Sequence, residues 1–283
     1  MEHGQPSRTA LATAYARAYH QMADEPRLFT DPLAVRILGV EESVIAERNA
    51  APSDAPADNA DWSRRRRLFL AARARFAEET VAAAVAAGTR QVVIVGAGLD
   101  TFAYRNPFPE VRVFEVDHPD TQAWKRWRLE DSEIPIPESV TFVPVDFETR
   151  TLAEGLAAAG FDREKSAVFV WLGVIMYLTR EAILSTLEYI AGQAHPSQVV
   201  FDYISPGRTE SDRAEMAARA ERVRAVGEPW LSYFTPEEMA EVLRTTGFAE
   251  VRDATALDIL ADLTGRARIS KPGNQPRMVH ATN

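Results

Sequence analysis

The chain has 283 residues, 46% of them hydrophobic and 26% charged, which allows one large domain or two small ones with a full core and excludes a disordered protein. A net charge of -9 argues against a nucleic-acid partner held on a basic face, and the absence of cysteine excludes disulfides, thiolate metal sites and a cysteine nucleophile. The longest apolar run, 167–178 (AVFVWLGVIMYL), falls short of the roughly 20 residues a membrane span needs, and the N-terminus lacks a signal-type apolar core; the expectation is a cytoplasmic protein without membrane contact.

Residues 1–90 read as an alanine-rich helical cap, broken at Asp31-Pro32 and by a surface loop at 50–61, with no strand signal. The run Arg64 to Arg67 reads as a solvated helix face. From residue 91 the rhythm changes to short β-branched and aromatic runs at 92–95, 111–117, 140–146, 167–173 and 198–203, mostly continuous rather than alternating, as in strands covered on both faces. Helical stretches at 121–132, 151–160 and 180–194 separate the later ones. Strands alternating with helices predict right-handed crossovers and an α/β fold with a doubly wound, mostly parallel sheet. A helical insertion at about 206–232 follows, then a helix opened by Thr235 and Glu238 in capping-box spacing, then strand candidates at 249–254 and 278–283. The prediction is a seven-stranded Rossmann-like sheet over 91–283 behind the helical cap.

Ligands of such sheets bind beyond the carboxyl ends of the strands. The first strand runs into Gly96-Ala97-Gly98, where Gly96 permits a sharp turn and Gly98 removes a side chain from a place where a ligand touches backbone. Asp117, 21 residues after Gly96 and at the end of the second strand, stands where an acid binds both hydroxyls of a ribose. A dinucleotide fingerprint needs a third glycine where this chain has Thr101, and Asp100 sets a carboxylate where two phosphate charges would lie. S-adenosyl-L-methionine has no phosphate and carries a sulfonium and an ammonium group, so the loop favours that cofactor. Asp100 is equally placed to cap the next helix.

The stretches RTALATAYARAYH, LFTDPLA, FLAARARF, VVIVGAGLDTFAYR, VFEVDHP, VPVDF, GVIMYL and EPWLSYFTPEEMAEVLRTTGF together resemble the leucine carboxyl methyltransferase family, especially its bacterial branch of S-adenosylmethionine-dependent O-methyltransferases, some of which act on polyketides. The resemblance implies that Arg73 holds the methionine carboxylate of the cofactor, that Gly96 and Gly98 approach it, and that Asp117 binds the ribose. It implies adenine contacts from Asp146 and from Phe147, the latter equally readable as core. Where many members have Glu-Gly near the methionyl group this chain has Leu172-Gly173; Leu172 retains a backbone carbonyl, and Asp100 is the acid available to the ammonium group.

Methyl transfer is an in-line displacement in which the enzyme chiefly aligns donor and acceptor in a dry site. A carboxylate acceptor is ionised at neutral pH and asks only for a cation, for which Arg17 matches a basic family position and otherwise reads as a surface arginine. A phenol calls for a base, but His118 and His195 stand beside prolines at strand edges and read as loop residues, so no catalytic residue is assigned. Tyr177 and Tyr203 are candidates to line the acceptor pocket or its floor. No metal site is assigned, and the oligomeric state is open. The expected function is O-methylation of a carboxyl or phenolic oxygen of a small molecule, such as a secondary metabolite. The alternatives are a nicotinamide-dependent oxidoreductase, which Asp100 and Thr101 disfavour, and a non-catalytic cofactor-binding module, which Leu172 favours.

Overall fold

A computed structural model describes residues 7–49, 57–147, 149–207, 209–225, 227–265 and 276–283. Three helices come first, α1 (Arg8–Ala23), α2 (Glu42–Asn49) and α3 (Ala57–Ala86). Of the loop expected at 50–61, residues 50–56 lie outside the described residues and the rest already belongs to α3. The last proline of that stretch, Pro56, directly precedes the helix, and beyond it nothing opposes helical backbone.

Beyond α3 the chain forms β1 (Gln91–Val95), α4 (Phe102–Arg105), β2 (Arg112–Asp117), α5 (Pro119–Asp131), β3 (Val140–Pro144), α6 (Leu152–Ala158), β4 (Ala167–Trp171), α7 (Arg180–Ala191) and β5 (Gln198–Ile204). After α8 (Glu210–Ala225) and α9 (Pro236–Thr246) come β6 (Glu250–Thr255), α10 (Ala256–Thr264) and β7 (Pro276–Thr282). The seven strands form one sheet in the order β3-β2-β1-β4-β5-β7-β6. β1 to β5 pair in parallel, and β7 runs antiparallel between β5 and β6. This is the expected doubly wound, mostly parallel sheet of seven strands. Helix α10 was not anticipated from sequence, although Thr255 and Asp258 form a capping box at its start.

The period-2 alternation of strand side chains divides the core. Val92 and Ile94 face one layer with Val113, Val168 and Val200, while Val93 and Val95 face the other with Phe114, Phe169 and Phe201. The second layer is closed by α6, α7 and α9, through residues such as Leu156, Leu187 and Leu243. On α7, Ile183, Leu187 and Ile190 recur at helical spacing and are fully buried, so Leu187→Ala would cost about 2–5 kcal/mol. The first layer includes Ala14 and Ala18 of α1, Ile45 of α2 and Phe76, Val81 and Val85 of α3. The N-terminal helices therefore share one apolar core with the sheet, and α3 is its first covering helix.

Candidate functional site

The strand ends that were polar in the sequence converge. After β1 the chain turns through Gly96 and Gly98, with φ of 70° and 45°. The turn is held by the N–H groups of Gly96 and Ala97, both donating to Val116 O at 2.8 and 3.0 Å. A Cβ on Gly98 would stand 3.2 Å from Ala10 Cβ, so the first turn of α1 lies directly on the loop. Asp117, at the end of β2, accepts from Gly98 N through Oδ2 (2.5 Å) and from His118 N through Oδ1 (2.7 Å). Burial raises its carboxyl above the usual aspartate range, against the opposing pull of those two N–H groups.

The ends of β4 and β5 meet α3. Asp202, 2% exposed, accepts from Gly173 N through Oδ1 (2.6 Å) and pairs through Oδ2 with Arg73 Nη1 (2.8 Å). Gly173 has φ of 73°, and a Cβ there would stand 3.0 Å from Arg73 Nη2, so only glycine fits at no cost. Arg73 is thus carried on α3 to the strand ends and fixed by Asp202. Leu172 packs against the first core layer and, with Glu78, Asp100, Phe102 and Val170, borders a cavity of about 20 Å³, room for one water. Asp146 follows the end of β3, where its carbonyl accepts from Thr149 N and Arg150 N. Phe147 is 37% exposed, which sets aside its reading as core.

Arg17 is not on the surface. It is 8% exposed, pairs with Asp31 Oδ2 at 3.0 Å and with Asp100 Oδ2 at 3.7 Å, and donates to Leu99 O. Asp31, 1% exposed, also accepts from Thr101 Oγ1 (2.7 Å) and pairs with Arg105 Nε (3.3 Å), and Arg105 is bound at its far end by Glu78. Asp100 Oδ1 accepts from Phe102 N at 2.8 Å, so the residue caps α4 while its other oxygen faces Arg17. Arg17 accordingly steadies the glycine loop rather than presenting a free cation. Asp31 and Arg105 were missed as members of this cluster. Their only sequence signal was position, in LFTDPLA and at the end of GLDTFAYR, because pairing between distant segments leaves no periodicity.

Two further expectations are corrected. Tyr203 is 1% exposed in the second core layer, and its hydroxyl donates to Asp253 Oδ2 at 2.6 Å, so it lines no pocket. The run Arg64 to Arg67 is not uniformly solvated: Arg67 is 8% exposed and grips Asp24 through Nε (3.1 Å) and Nη2 (3.2 Å). His118 caps α5 by accepting from Asp120 N, and His195 sits exposed against Asn283 O.

Tyr177 ends a short 3-10 turn after β4 and packs with Met176, Ile204, Met216, Trp230 and Tyr233. Burial raises its phenol above the usual range. The segment bearing Trp230 is fastened at both ends: Leu231 N donates to Met176 O (2.7 Å), and Glu228 accepts from Ser7 Oγ (2.9 Å), Arg8 N (2.8 Å) and Thr9 N (3.2 Å) at the start of α1. The aromatic corner is therefore roofed by α1 and the post-α8 segment. Among the described residues no group of three or more His, Cys, Asp or Glu is placed to hold a metal ion, and no helix is long and apolar enough to cross a membrane.

The sequence matches the leucine carboxyl methyltransferase family over residues 10–191. It is 33% identical over 269 residues, 87% of this chain and 88% of the other, to a Bacillus subtilis protein named as a candidate S-adenosyl-L-methionine-dependent methyltransferase. A Mycolicibacterium smegmatis protein of the same description is 35% identical over 228 residues, 77% of this chain and 74% of the other. Among solved structures, a candidate exported protein of Bordetella parapertussis superposes with a TM-score of 0.50 at 12% identity, covering 97% of this chain and 96% of that one, a likeness of fold.

Proposed function

The chain belongs to the leucine carboxyl methyltransferase family and is an S-adenosyl-L-methionine-dependent methyltransferase, and from that premise we propose that it methylates a carboxyl oxygen of a small molecule, such as a polyketide or other secondary metabolite, in the cytoplasm. The observation that carries the choice of oxygen is the set of groups around the aromatic corner. These are Arg73, the phenols of Tyr177 and Tyr233, which burial raises and so keeps protonated at neutral pH, and Glu228, whose carboxylate is already engaged by Ser7 Oγ, Arg8 N and Thr9 N, so none is free to take a proton from an acceptor. An acceptor that is already ionised needs no base; a phenol does.

The residues at the strand ends fit the cofactor. A carboxylate has about four lone-pair sites, and Asp117 uses two on Gly98 and His118, which leaves two for a ribose diol. Gly98 exposes backbone at the turn, and Asp100, already facing Arg17, would oppose a pyrophosphate there. Arg73, oriented by Asp202, is assigned the amino-acid carboxylate, which a planar guanidinium grips in bidentate fashion. When bound, S-adenosyl-L-methionine supplies the methyl group on its sulfonium. The contribution of the chain is to align, to exclude water under α1, and to present the acceptor from the aromatic corner.

The test offers methyl-labelled S-adenosyl-L-methionine with panels of aryl carboxylic acids and phenols. A base-labile ester on a member of the first panel is expected; label found only in base-stable ethers, or in neither panel, overturns the proposal.

A further inference from the structure

Between Arg112 and Asp117 the only polar residue of β2 is Glu115. Strand side chains alternate between the two core layers, so Val113, Glu115 and Asp117 share one side, the side of the first layer. Glu115 is 1% exposed there. Its Oε1 accepts from Lys125 Nζ of α5 at 2.8 Å and its Oε2 from Tyr104 Oη of α4 at 2.7 Å. The Lys125 ammonium also lies over the Tyr104 ring, 5.2 Å from its centre. With Lys125 1% and Tyr104 9% exposed, the three side chains close a triangle away from solvent.

Such a cluster is not needed for stability, because apolar side chains of similar volume hold a core as well or better. What hydrogen bonds add is a fixed direction, which apolar packing alone does not impose. Three successive residues of β2 hold the cofactor turn: Glu115 accepts from Tyr104, Val116 O from Gly96 N and Ala97 N, and the Asp117 carboxylate from Gly98 N. Helix α5 is seated on two of the same residues. His118 N, at its start, donates to Asp117, Gln122 Nε2 to Glu115 O at 3.0 Å, and Lys125 to the Glu115 carboxylate. Glu115 therefore joins α4, which follows the glycine turn, to α5, which starts from Asp117. It does so two residues, about 7 Å along the strand, from the carboxylate assigned to the ribose.

We propose that Tyr104 and Lys125, acting through Glu115, are positioning residues of the methyl-donor site, setting Gly98 against the Asp117 carboxylate so that both address one ribose. The inference rests on the assignment of Asp117 to the ribose and deepens it.

The test is calorimetric titration of S-adenosylhomocysteine into the full chain and its variants. Tyr104→Phe is expected to weaken binding about tenfold, the scale of one hydrogen bond to a charged group. In an Asp117→Asn background the same substitution costs under about twofold, because the contact it positions is already impaired; independent sites would add instead. The combined replacement of Tyr104→Phe, Glu115→Leu and Lys125→Met leaves an apolar core that melts no lower than Tyr104→Phe alone, yet binds at least about tenfold more weakly than the parent. A purely structural cluster would give that folded variant the parental affinity. Tyr104→Phe within about twofold of the parent, equal losses in both Asp117 backgrounds, or parental affinity in the combined variant overturns the inference; if the combined variant does not fold, the two Asp117 backgrounds decide. Parental affinity in Asp117→Asn alone overturns instead the ribose assignment, and failure of the parent to bind S-adenosylhomocysteine overturns the reading of the methyl-donor site.

Discussion

Replacing Asp117 by asparagine isolates the hinge of the cofactor site. In the parent each carboxylate oxygen already holds one backbone N–H, Gly98 at 2.5 Å and His118 at 2.7 Å, and keeps one lone pair for a ribose hydroxyl. Asparagine keeps one acceptor oxygen and turns an NH2 group toward the other N–H. One backbone bond and one diol bond are therefore lost, each a hydrogen bond to a charged group and each contributing about 1.5–3 kcal/mol. The backbone share appears as lower stability. The diol share appears as roughly 10- to 150-fold weaker binding of S-adenosylhomocysteine, read by calorimetry. Burial raises the Asp117 carboxyl, so parent affinity should begin to fall, as pH is lowered, above the value near 4 expected of an ordinary aspartate. The Asp117→Asn variant has no such proton, and its affinity should be flat over that window. Binding within about threefold of the parent, or the same acid limb in both proteins, would refute the assignment of Asp117 to the ribose.

Three more substitutions probe the frame around the site. Arg67→Ala removes two charge-assisted bonds to the buried Asp24, leaving it His20 Nδ1 at 3.1 Å, and should cost about 1.5–3 kcal/mol in urea unfolding, whereas Arg64→Ala, 53% exposed and 3.7 Å from Asp24, should cost under about 1 kcal/mol; equal effects would restore the solvated-face reading. Tyr203→Phe should lose about 1.5–3 kcal/mol of stability through Asp253 while leaving methyl transfer within about twofold, and a selective loss of activity would return Tyr203 to the acceptor pocket. Glu115 is 1% exposed, bound to Lys125 Nζ (2.8 Å) and Tyr104 Oη (2.7 Å), and its carboxyl is raised by burial against the pull of Lys125. Lys125→Met removes that pull and raises it further. A carboxyl raised on folding stabilises below its unfolded pKa and loses that stability as pH rises through the folded value, so this variant should melt lower at about pH 8 than at about pH 5 by more than the parent does; parallel melting profiles would contradict the sign.

The parts of the fold that could be read from sequence were those encoded locally. Continuous runs at β1, β4 and β5 announced strands covered on both faces, and Thr235 with Glu238 formed the capping box that spacing implied. The predicted third strand overshot, ending at Pro144 rather than Asp146, because β3 is an edge strand with one neighbour and the chain turns at once through Asp146 O. The elements that sequence misassigned depend on contacts between distant segments. Arg67 looks like its three basic neighbours until α1 ends beside it and supplies Asp24, and Arg17 looks like a polar residue on an alanine-rich helix until Asp31 and Leu99 close around it.

The same distinction explains why the cofactor half of the site was more legible than the acceptor half. Asp117, Gly98 and Gly96 are placed by one strand–turn–helix unit, so backbone rules alone bring them together. The acceptor corner is assembled from α3, the turn after β4, and the segment after α8, which is itself tied by Glu228 to the start of α1. Four chain segments meet there, and Arg73 is held at their edge by Asp202. Asp202 is committed to Arg73 and Gly173 at the strand ends, whereas the carboxylate beside Tyr177 is Glu228, which reaches the corner only because the segment after α8 is tied to the start of α1, a contact between distant segments that leaves no local pattern.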